Sequence, residues 1–501
     1  MYTSKLHAPK VYGYIVSSIA KPAAAKPSHV FDRDREWASL IRFATSPSPD
    51  VRLGIVSGRR RQGKTYLLDA LVQEFGGFFF AATDETDTEA LARFGEALAA
   101  QTSGAGGRFT FTNWHEALAR LFALVPEGLI VIDEFPYLSK ASPSLPSLIQ
   151  HALDPRGYAR QGKTRLLLCG SALGVMGRLL AGNAPLRGRA SLELVVKPLD
   201  YRASARFWDI KDPRLAVLVH SIVGGTPAYR REFVAGDVPE SVEDFDAWVA
   251  RTVLNPEVPL YREARYLLTE ETDIRDTAIY HAVLGAIASG NATRGGIANH
   301  IGRKSTDIGH PLSVLEDSQL IAREEDAFRK GRSLYRSCEP LIVFYEAVMR
   351  REWTRLERGR PEAAWSNSRA TFLSQVVGPH FEALCREWAM FAEEEVFREL
   401  PGRVAAGVVA DPHNRTQIQV DVAVLAQEEP GRPQRILSLG EAKWDKVMTA
   451  GHVDRLRRAR DLLSVKGYDT RDTVLACYSG AGFHDDIPEG VRLVGLKELY
   501  A

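Results

Sequence analysis

What this chain has little of is informative first. Cysteine is scarce: four in 501 residues (Cys169, Cys338, Cys385, Cys477), with no C-x-x-C spacing. They lie in segments that read as strands or helices, which excludes a disulfide framework and fits a reducing compartment. No apolar run is long enough to span a bilayer. Net charge is nearly absent as well: a formal +1 gives no argument from bulk charge for nucleic acid or for a membrane, so any such contact must come from a local patch. Internal repeats are missing. The remaining totals, 45% apolar and 25% charged, are those of soluble globular proteins, and 501 residues exceed what one core supports, so two to four domains are expected.

The most specific feature present is Gly58-Arg59-Arg60-Arg61-Gln62-Gly63-Lys64-Thr65, a G-x-x-x-x-G-K-[ST] loop after the apolar run Leu53 to Val56. Its glycines let backbone N–H groups turn toward phosphates, Lys64 can reach the β/γ oxygens, and the Thr65 hydroxyl can ligate Mg²⁺. A second element is Leu129-Ile130-Val131-Ile132-Asp133-Glu134, a buried strand ending in two carboxylates. Asp133 would hold Mg²⁺ and Glu134 would orient the attacking water. ATP and Mg²⁺ are therefore the expected cofactors. A third apolar strand, Leu166 to Cys169, ends in Gly170-Ser171, which is either a simple turn or a hydroxyl placed at the γ-phosphate. Arg187 and Arg189 could complete the site in cis or in trans, the latter requiring a homo-oligomer; a surface salt bridge is the plainer role for Arg187. Val11 to Ala20 imitates a secretory signal, but an ATP loop places the chain in the cytoplasm.

Strand-like and helical runs alternate from Leu53 to about Leu199, which predicts an α/β domain with a parallel sheet. The expected organisation is a flexible leader (1–28), an ATPase core (29–200), a helical lid containing Gly224-Gly225-Thr226-Pro227 (201–275), three helices plus a hairpin reading as a winged helix (276–350), a partly helical linker (351–370) and a final α/β domain (371–501). Arg303, Lys304 and Ser305 open the third helix of the winged-helix segment, from Ser305 to Asp317. Arg329, Lys330 and Arg332 sit at the hairpin tip, and both placements suit DNA.

The last domain carries a second constellation. Glu382 lies on a helix, Asp421 on the strand Gln419 to Val424, and Glu441 with Lys443 on the strand Leu437 to Lys443. In a period-2 strand Glu441 and Lys443 share a face, and an adjacent strand can bring Asp421 beside them. A Glu-x-Lys pair on a strand is ordinarily a solvated ion pair. An acid between Val420 and Val422, however, costs free energy unless it has a metal or a partner. Asp421 and Glu441 are thus candidate Mg²⁺ ligands of a phosphodiesterase site, with Lys443 orienting water and offsetting charge.

Phe31-Asp32-Arg33, the G-x-x-x-x-G-K-T loop, I-D-E-F at Ile132 to Phe135, C-G-S at Cys169 to Ser171, Gly188-Arg189 and G-G-T-P-A-Y at Gly224 to Tyr229 together resemble the archaeal-type ATPases of the AAA+/STAND part of the P-loop superfamily, over residues 31 to 235. The resemblance implies a P-loop NTPase fold, an adenine-edge role for Asp32 and Arg33, a γ-phosphate sensor role for Ser171, a lid contact at Pro227, and Arg189 as the candidate arginine finger. The sequence departs from the family at Arg187, where an aromatic is usual. The ordered acids of the last domain resemble the PD-(D/E)xK restriction-endonuclease-like fold that accompanies this family. Two functions follow as expectations: an ATP-dependent DNA-acting enzyme whose nucleotide state gates a C-terminal nuclease, or a STAND-like regulatory switch that keeps the nuclease fold as a DNA- or protein-binding scaffold. A strand-separating motor is a third reading, but no second motor domain is visible.

Overall fold

The computed structural model describes residues 25–102, 109–159, 162–269 and 277–501. Most of the expected leader (1–24) and the first residue of the expected winged helix, Asp276, lie outside them. The chain divides into two compact units, 1–198 and 199–501, each with its own sheet.

The first unit is built on five strands: β1 (Arg52–Ser57), β2 (Gly77–Ala81), β3 (Glu127–Asp133), β4 (Lys163–Gly170) and β5 (Ala190–Val195). They are ordered β2-β3-β4-β1-β5, and every neighbouring pair is parallel. Near-continuous apolar runs form the central strands β1, β3 and β4 because both of their faces are covered. Ile55, Ile130, Ile132, Leu166 and Leu168 point into one core with Phe94, Trp114, Leu118 and Ile149. The alternate residues Val56, Leu129, Val131, Leu167 and Cys169 join a second core with Trp37, Leu40, Leu67 and Leu71. Because the strands are parallel, all their carboxyl ends emerge at one edge, where ligands of open α/β sheets bind.

The second unit opens with helices, each started by a recognisable device. Asp200 accepts from Ala203 N ahead of Tyr201–Phe207, and Asp212 accepts from Arg214 N and Leu215 N ahead of Pro213–Val223. The turn between the latter helix and Tyr229 is tight: Gly224 is left-handed (φ 56°), and a Cβ on Gly225 would lie 1.8 Å from Leu199 O. Three further helices, Thr277–Ala288, Arg294–His300 and Gly309–Asp317, share a core (Val283, Leu284, Ile297, Leu312, Leu315) with the antiparallel hairpin β6 (Ile321–Glu325) and β7 (Ser333–Ser337). The third helix begins at Gly309, four residues later than its sequence suggests, because 305–308 form a turn. Residues 351–370 are largely helical, in Arg350–Glu357 and Pro361–Thr371, with Leu356, Ala364 and Trp365 buried.

A mixed sheet closes the chain: β8 (Arg403–Asp411), β9 (Thr416–Leu425), β10 (Ile436–Lys443), β11 (Val474–Ser479) and β12 (Arg492–Val494), ordered β12-β11-β10-β9-β8. β8, β9 and β10 are antiparallel in sequence, whereas β10, β11 and β12 are parallel. The tip of the β6–β7 hairpin is built into this sheet. Ala327 N donates to Ala406 O (2.9 Å), Asp326 Oδ1 accepts from Phe328 N and Val408 N (3.0 and 3.4 Å), and Ala327 and Phe328 belong to the same core as Val409, Val420 and Leu439. Gly407 makes this possible, since a Cβ there would lie 2.5 Å from the Phe328 ring.

Candidate functional site

At the carboxyl edge of the first sheet, β1 runs into the loop Gly58 to Gly63 and then the helix Lys64–Phe75. The glycines are demanded by the backbone: Gly58 has φ 152° and a Cβ would meet Val196 O at 2.4 Å, while Gly63, at φ 84°, caps the helix in the left-handed region. Arg61 is left-handed too, at φ 67°. Lys64 is buried and its Nζ donates to Arg59 O at 2.9 Å, so the lysine folds back across the loop. Burial lowers its pKa, while nearby Cys169, Glu134 and Asp133 pull it back up. The strand–loop–helix context that a phosphate-binding loop requires is therefore in place.

Strand order brings the other expected groups to this loop. β4 lies between β1 and β3, with Ser57 opposite Gly170 and Leu168 opposite Ile132. Thr65 Oγ1 donates to Asp133 Oδ2 at 2.6 Å, and Asp133 Oδ1 accepts from Glu134 N at 2.9 Å. Glu134, left-handed at φ 50°, accepts from Ser171 Oγ at 2.9 Å and Ser171 N at 3.4 Å. A hydroxyl beside a buried carboxylate at the end of the loop is an all-oxygen pair that would suit Mg²⁺. Thr65 and Asp133 would hold that ion, and Glu134 would address water.

The remaining expected residues fall less uniformly. Arg33 is buried; its Nη2 donates to Gln62 O (3.2 Å) and its Nη1 to Glu36 Oε1 (3.2 Å), so its guanidinium braces the phosphate loop from behind. Arg60 Nη2 donates to Tyr137 OH at 2.7 Å. Asp32 is left-handed (φ 53°) and its carbonyl accepts from Lys26 Nζ at 2.5 Å. Arg189 pairs with Asp154 at 2.5 Å, and Arg187 Nη1 donates to Gly182 O at 2.6 Å. Pro227 is half-buried in the tight turn of the second unit.

In the mixed sheet, β9 and β10 pair with Val422 opposite Gly440, which sets Asp421 beside Glu441 and Lys443. Asp421 and Glu441 are buried. Lys443 Nζ lies 3.1 Å from Asp421 Oδ2 and 3.3 Å from Glu441 Oε1. Burial lowers its pKa, but Asp421 and Glu441 outweigh that and raise it, so Lys443 is an ammonium and not a free base. Asp421 also accepts from Ala442 N (2.9 Å) and Gln419 Nε2 (3.0 Å), and its carbonyl accepts from Arg386 Nη1 (3.1 Å). Glu441 Oε1 is shared with Arg455 Nη1 (3.0 Å), whereas Glu441 Oε2 is buried without a hydrogen-bond partner among the described residues. Glu382, on the helix Gly378–Met390, has its pKa pushed up to about 7 by burial and then by Asp421. Among the described residues no group of three or more His, Cys, Asp or Glu is arranged to hold a metal ion. The acids do sit together, but the Lys443 ammonium lies between two of them. The orphaned Glu441 oxygen leaves one carboxylate position of this pair open to a hard divalent cation.

The candidate DNA-contacting residues divide. Arg303, Lys304 and Ser305 are exposed ahead of Gly309–Asp317, with Ser305 O accepting from Arg294 Nε at 2.7 Å. At the hairpin tip Lys330 is exposed and Arg329 and Arg332 half-buried, beside the buried Phe328.

No family model matches the chain. An uncharacterized protein of Methanocaldococcus jannaschii is 25% identical over 318 residues, covering 63% of this chain and 67% of that protein. Among solved structures, a Walker-type ATPase of Pyrococcus abyssi aligns at 19% identity and a TM-score of 0.46, over 63% of this chain and 96% of its own. The ORC2 protein of Aeropyrum pernix, in ADPNP–ADP complexes, aligns at 14% identity and a TM-score of 0.39, over 69% of this chain and 99% of its own. At these values the case for nucleotide chemistry rests on the chain's own loop and strand geometry.

Sequence reasoning missed several site residues. Gln419 was within reach of it, because Gln419 and Asp421 are two apart on one strand and so share a face. Arg455 was not, since it is one of four arginines between 455 and 460 and nothing in their spacing singles out the one that reaches Glu441. Tyr137 carries no motif signal at all.

Proposed function

We propose that this protein binds and hydrolyses Mg²⁺–ATP in its first unit and acts on DNA, in the cytoplasm, with nucleotide state governing its C-terminal domain. The observation that carries the first part is the continuous hydrogen-bonded series Thr65–Asp133–Glu134–Ser171 across the ends of three parallel strands, beside a loop whose Gly58 has no room for a Cβ. Bound Mg²⁺ would supply charge neutralisation at the phosphates. Lys64 would hold the β/γ oxygens, Thr65 and Asp133 the ion and its waters, Glu134 the proton of the attacking water, and Ser171 the orientation of Glu134. Asp32 is proposed at the adenine edge, Arg33 behind the loop, Pro227 as the lid contact, and Arg189 as a finger once released from Asp154, which in trans needs a homo-oligomer. ATP turnover by wild type, Lys64→Ala and Glu134→Gln tests this: Lys64→Ala should lose nucleotide affinity and Glu134→Gln should bind without turnover. Equal hydrolysis by Glu134→Gln and wild type would refute the role given to Glu134.

For the C-terminal domain the reading is a restriction-endonuclease-like fold in which Asp421 and Glu441 take Mg²⁺, with Glu382 beside them. Lys443 would stabilise developing phosphate charge, and the three-helix segment would serve as a winged helix on DNA. The alternative is a STAND-like switch with the nuclease fold as scaffold. Two observations favour it: cations already compensate both acids, and the hairpin tip is seated in the sheet. Incubating linear, circular and single-stranded DNA with Mg²⁺ or Mn²⁺, with and without ATP, separates the two. Cutting abolished by Lys443→Ala supports the enzyme; no cutting by wild type supports the switch.

A further inference from the structure

Glu441 is unevenly partnered. It is 1% exposed, yet one of its oxygens serves two cations, Lys443 and Arg455, while the other serves none. A buried carboxylate oxygen left without a partner is costly, which is a reason to expect a ligand there.

The two cations are not held alike. Lys443 is 29% exposed and bound by Asp421, Glu441 and the Ala442 carbonyl (3.1 Å), all from its own sheet. Arg455 is 52% exposed and comes from a different element, the helix Ala450–Val465. That helix is fixed one turn further on by Arg458, whose guanidinium forms a two-pronged pair with buried Asp411 of β8 (2.9 and 3.0 Å). The base of Arg455 is thus tied to the sheet through its helix, while its side chain is half exposed. When a divalent cation takes the free Glu441 oxygen, Glu441 is neutralised and Arg455 is the cation with least to hold it.

We propose that Arg455 is a phosphate-binding residue of this site: on divalent-ion binding its guanidinium leaves Glu441 and grips a backbone phosphate of a nucleic-acid strand laid across Asp421, Glu441 and Lys443. The inference rests on reading those residues as a phosphodiester site. A planar guanidinium with several N–H donors matches a phosphate in two-pronged fashion, which an ammonium does not. Before the ion binds, Glu441 occupies Arg455, so the arginine contributes to strand binding only in the ion's presence.

The test is anisotropy of a fluorescein-labelled duplex and a labelled single strand titrated with the full chain, in EDTA and in Ca²⁺, over a range of salt. Wild type, Arg455→Ala, Arg455→Met and Arg460→Ala are compared. Arg455→Met keeps the aliphatic stem should the shorter side chain disturb folding, and Arg460 pairs with adjacent Asp461 on the same helix. In Ca²⁺, both Arg455 variants should bind about tenfold to a hundredfold more weakly than wild type. The slope of log K against log salt should be shallower by about 0.9 on duplex or about 0.7 on single strand. Arg460→Ala should match wild type, and in EDTA all four should match. If wild type gains affinity in Ca²⁺ and the Arg455 variants gain it equally with an unchanged slope, Arg455 has no such role although the site reading survives. If Ca²⁺ gives wild type no added affinity, the site reading itself falls, and the inference with it.

Discussion

Glu382 offers a sharp test of the C-terminal cluster because it can be examined without metal, nucleotide or DNA. Its carboxyl is pushed from 4.5 up to about 7, first by burial and then by Asp421. Between those two values the folded chain keeps a proton that the unfolded chain has released. The stabilising contribution is therefore complete below pH 4.5 and is lost as pH rises through 7. At about 1.36 kcal/mol per tenfold, the displacement corresponds to about 3 kcal/mol at most. Glu382→Gln removes the titration and keeps the shape. In EDTA the variant and wild type should melt together near pH 4.5, and the variant should be the more stable at pH 8 by up to about 3 kcal/mol, or about 6 °C for a unit of this size. Differential scanning calorimetry at half-unit pH steps reads the difference and cancels the titration of histidines common to both proteins. If wild type and variant show parallel pH profiles, or the variant is the less stable at pH 8, the carboxyl is not buried against Asp421 as described.

Three further outcomes are expected. Glu134→Gln should lower ATP turnover by at least about a hundredfold at unchanged nucleotide affinity, as measured by phosphate release and by binding of a fluorescent ATP analogue. Gly58→Ala should abolish nucleotide binding or unfold the loop, because its Cβ would meet Val196 O at 2.4 Å; wild-type binding by this variant would mean the loop adopts another path. Phe328→Ala empties a site shared by the hairpin and the mixed sheet and should cost about 3–5 kcal/mol in urea unfolding. A loss under about 1 kcal/mol would show that the tip is not anchored there.

Much of the first unit was legible because its central strands are buried on both faces and declare themselves as apolar runs. β5 was not: in Ala190–Val195 exposed or half-exposed residues alternate along an edge strand, so no apolar run marks it. The segment 351–370 looks unperiodic because only a few residues, such as Leu356, Ala364 and Trp365, are buried, too far apart to show a helical stripe. In the candidate site, strand period placed Glu441 and Lys443 on one face. Which cations would neutralise the acids depended on helix packing, as with Arg455. The Arg33 contact with Gln62 likewise joins residues 29 apart through a left-handed turn that no local rule specifies.

The seating of the β6–β7 tip on β8 also bears on where this chain can be cut. β8 is an edge strand, and at its bulge between Ala405 and Gly407 the hairpin occupies the Ala406 carbonyl and buries Phe328 over Gly407. A fragment beginning near residue 371 would keep all five strands yet bare an unsatisfied strand margin with an apolar notch, the surface by which sheets stack onto strangers. Such a piece should self-associate through this margin, which the hairpin covers in the longer chain. The hairpin would then serve the last domain as a stopper for its open side, whatever else it touches.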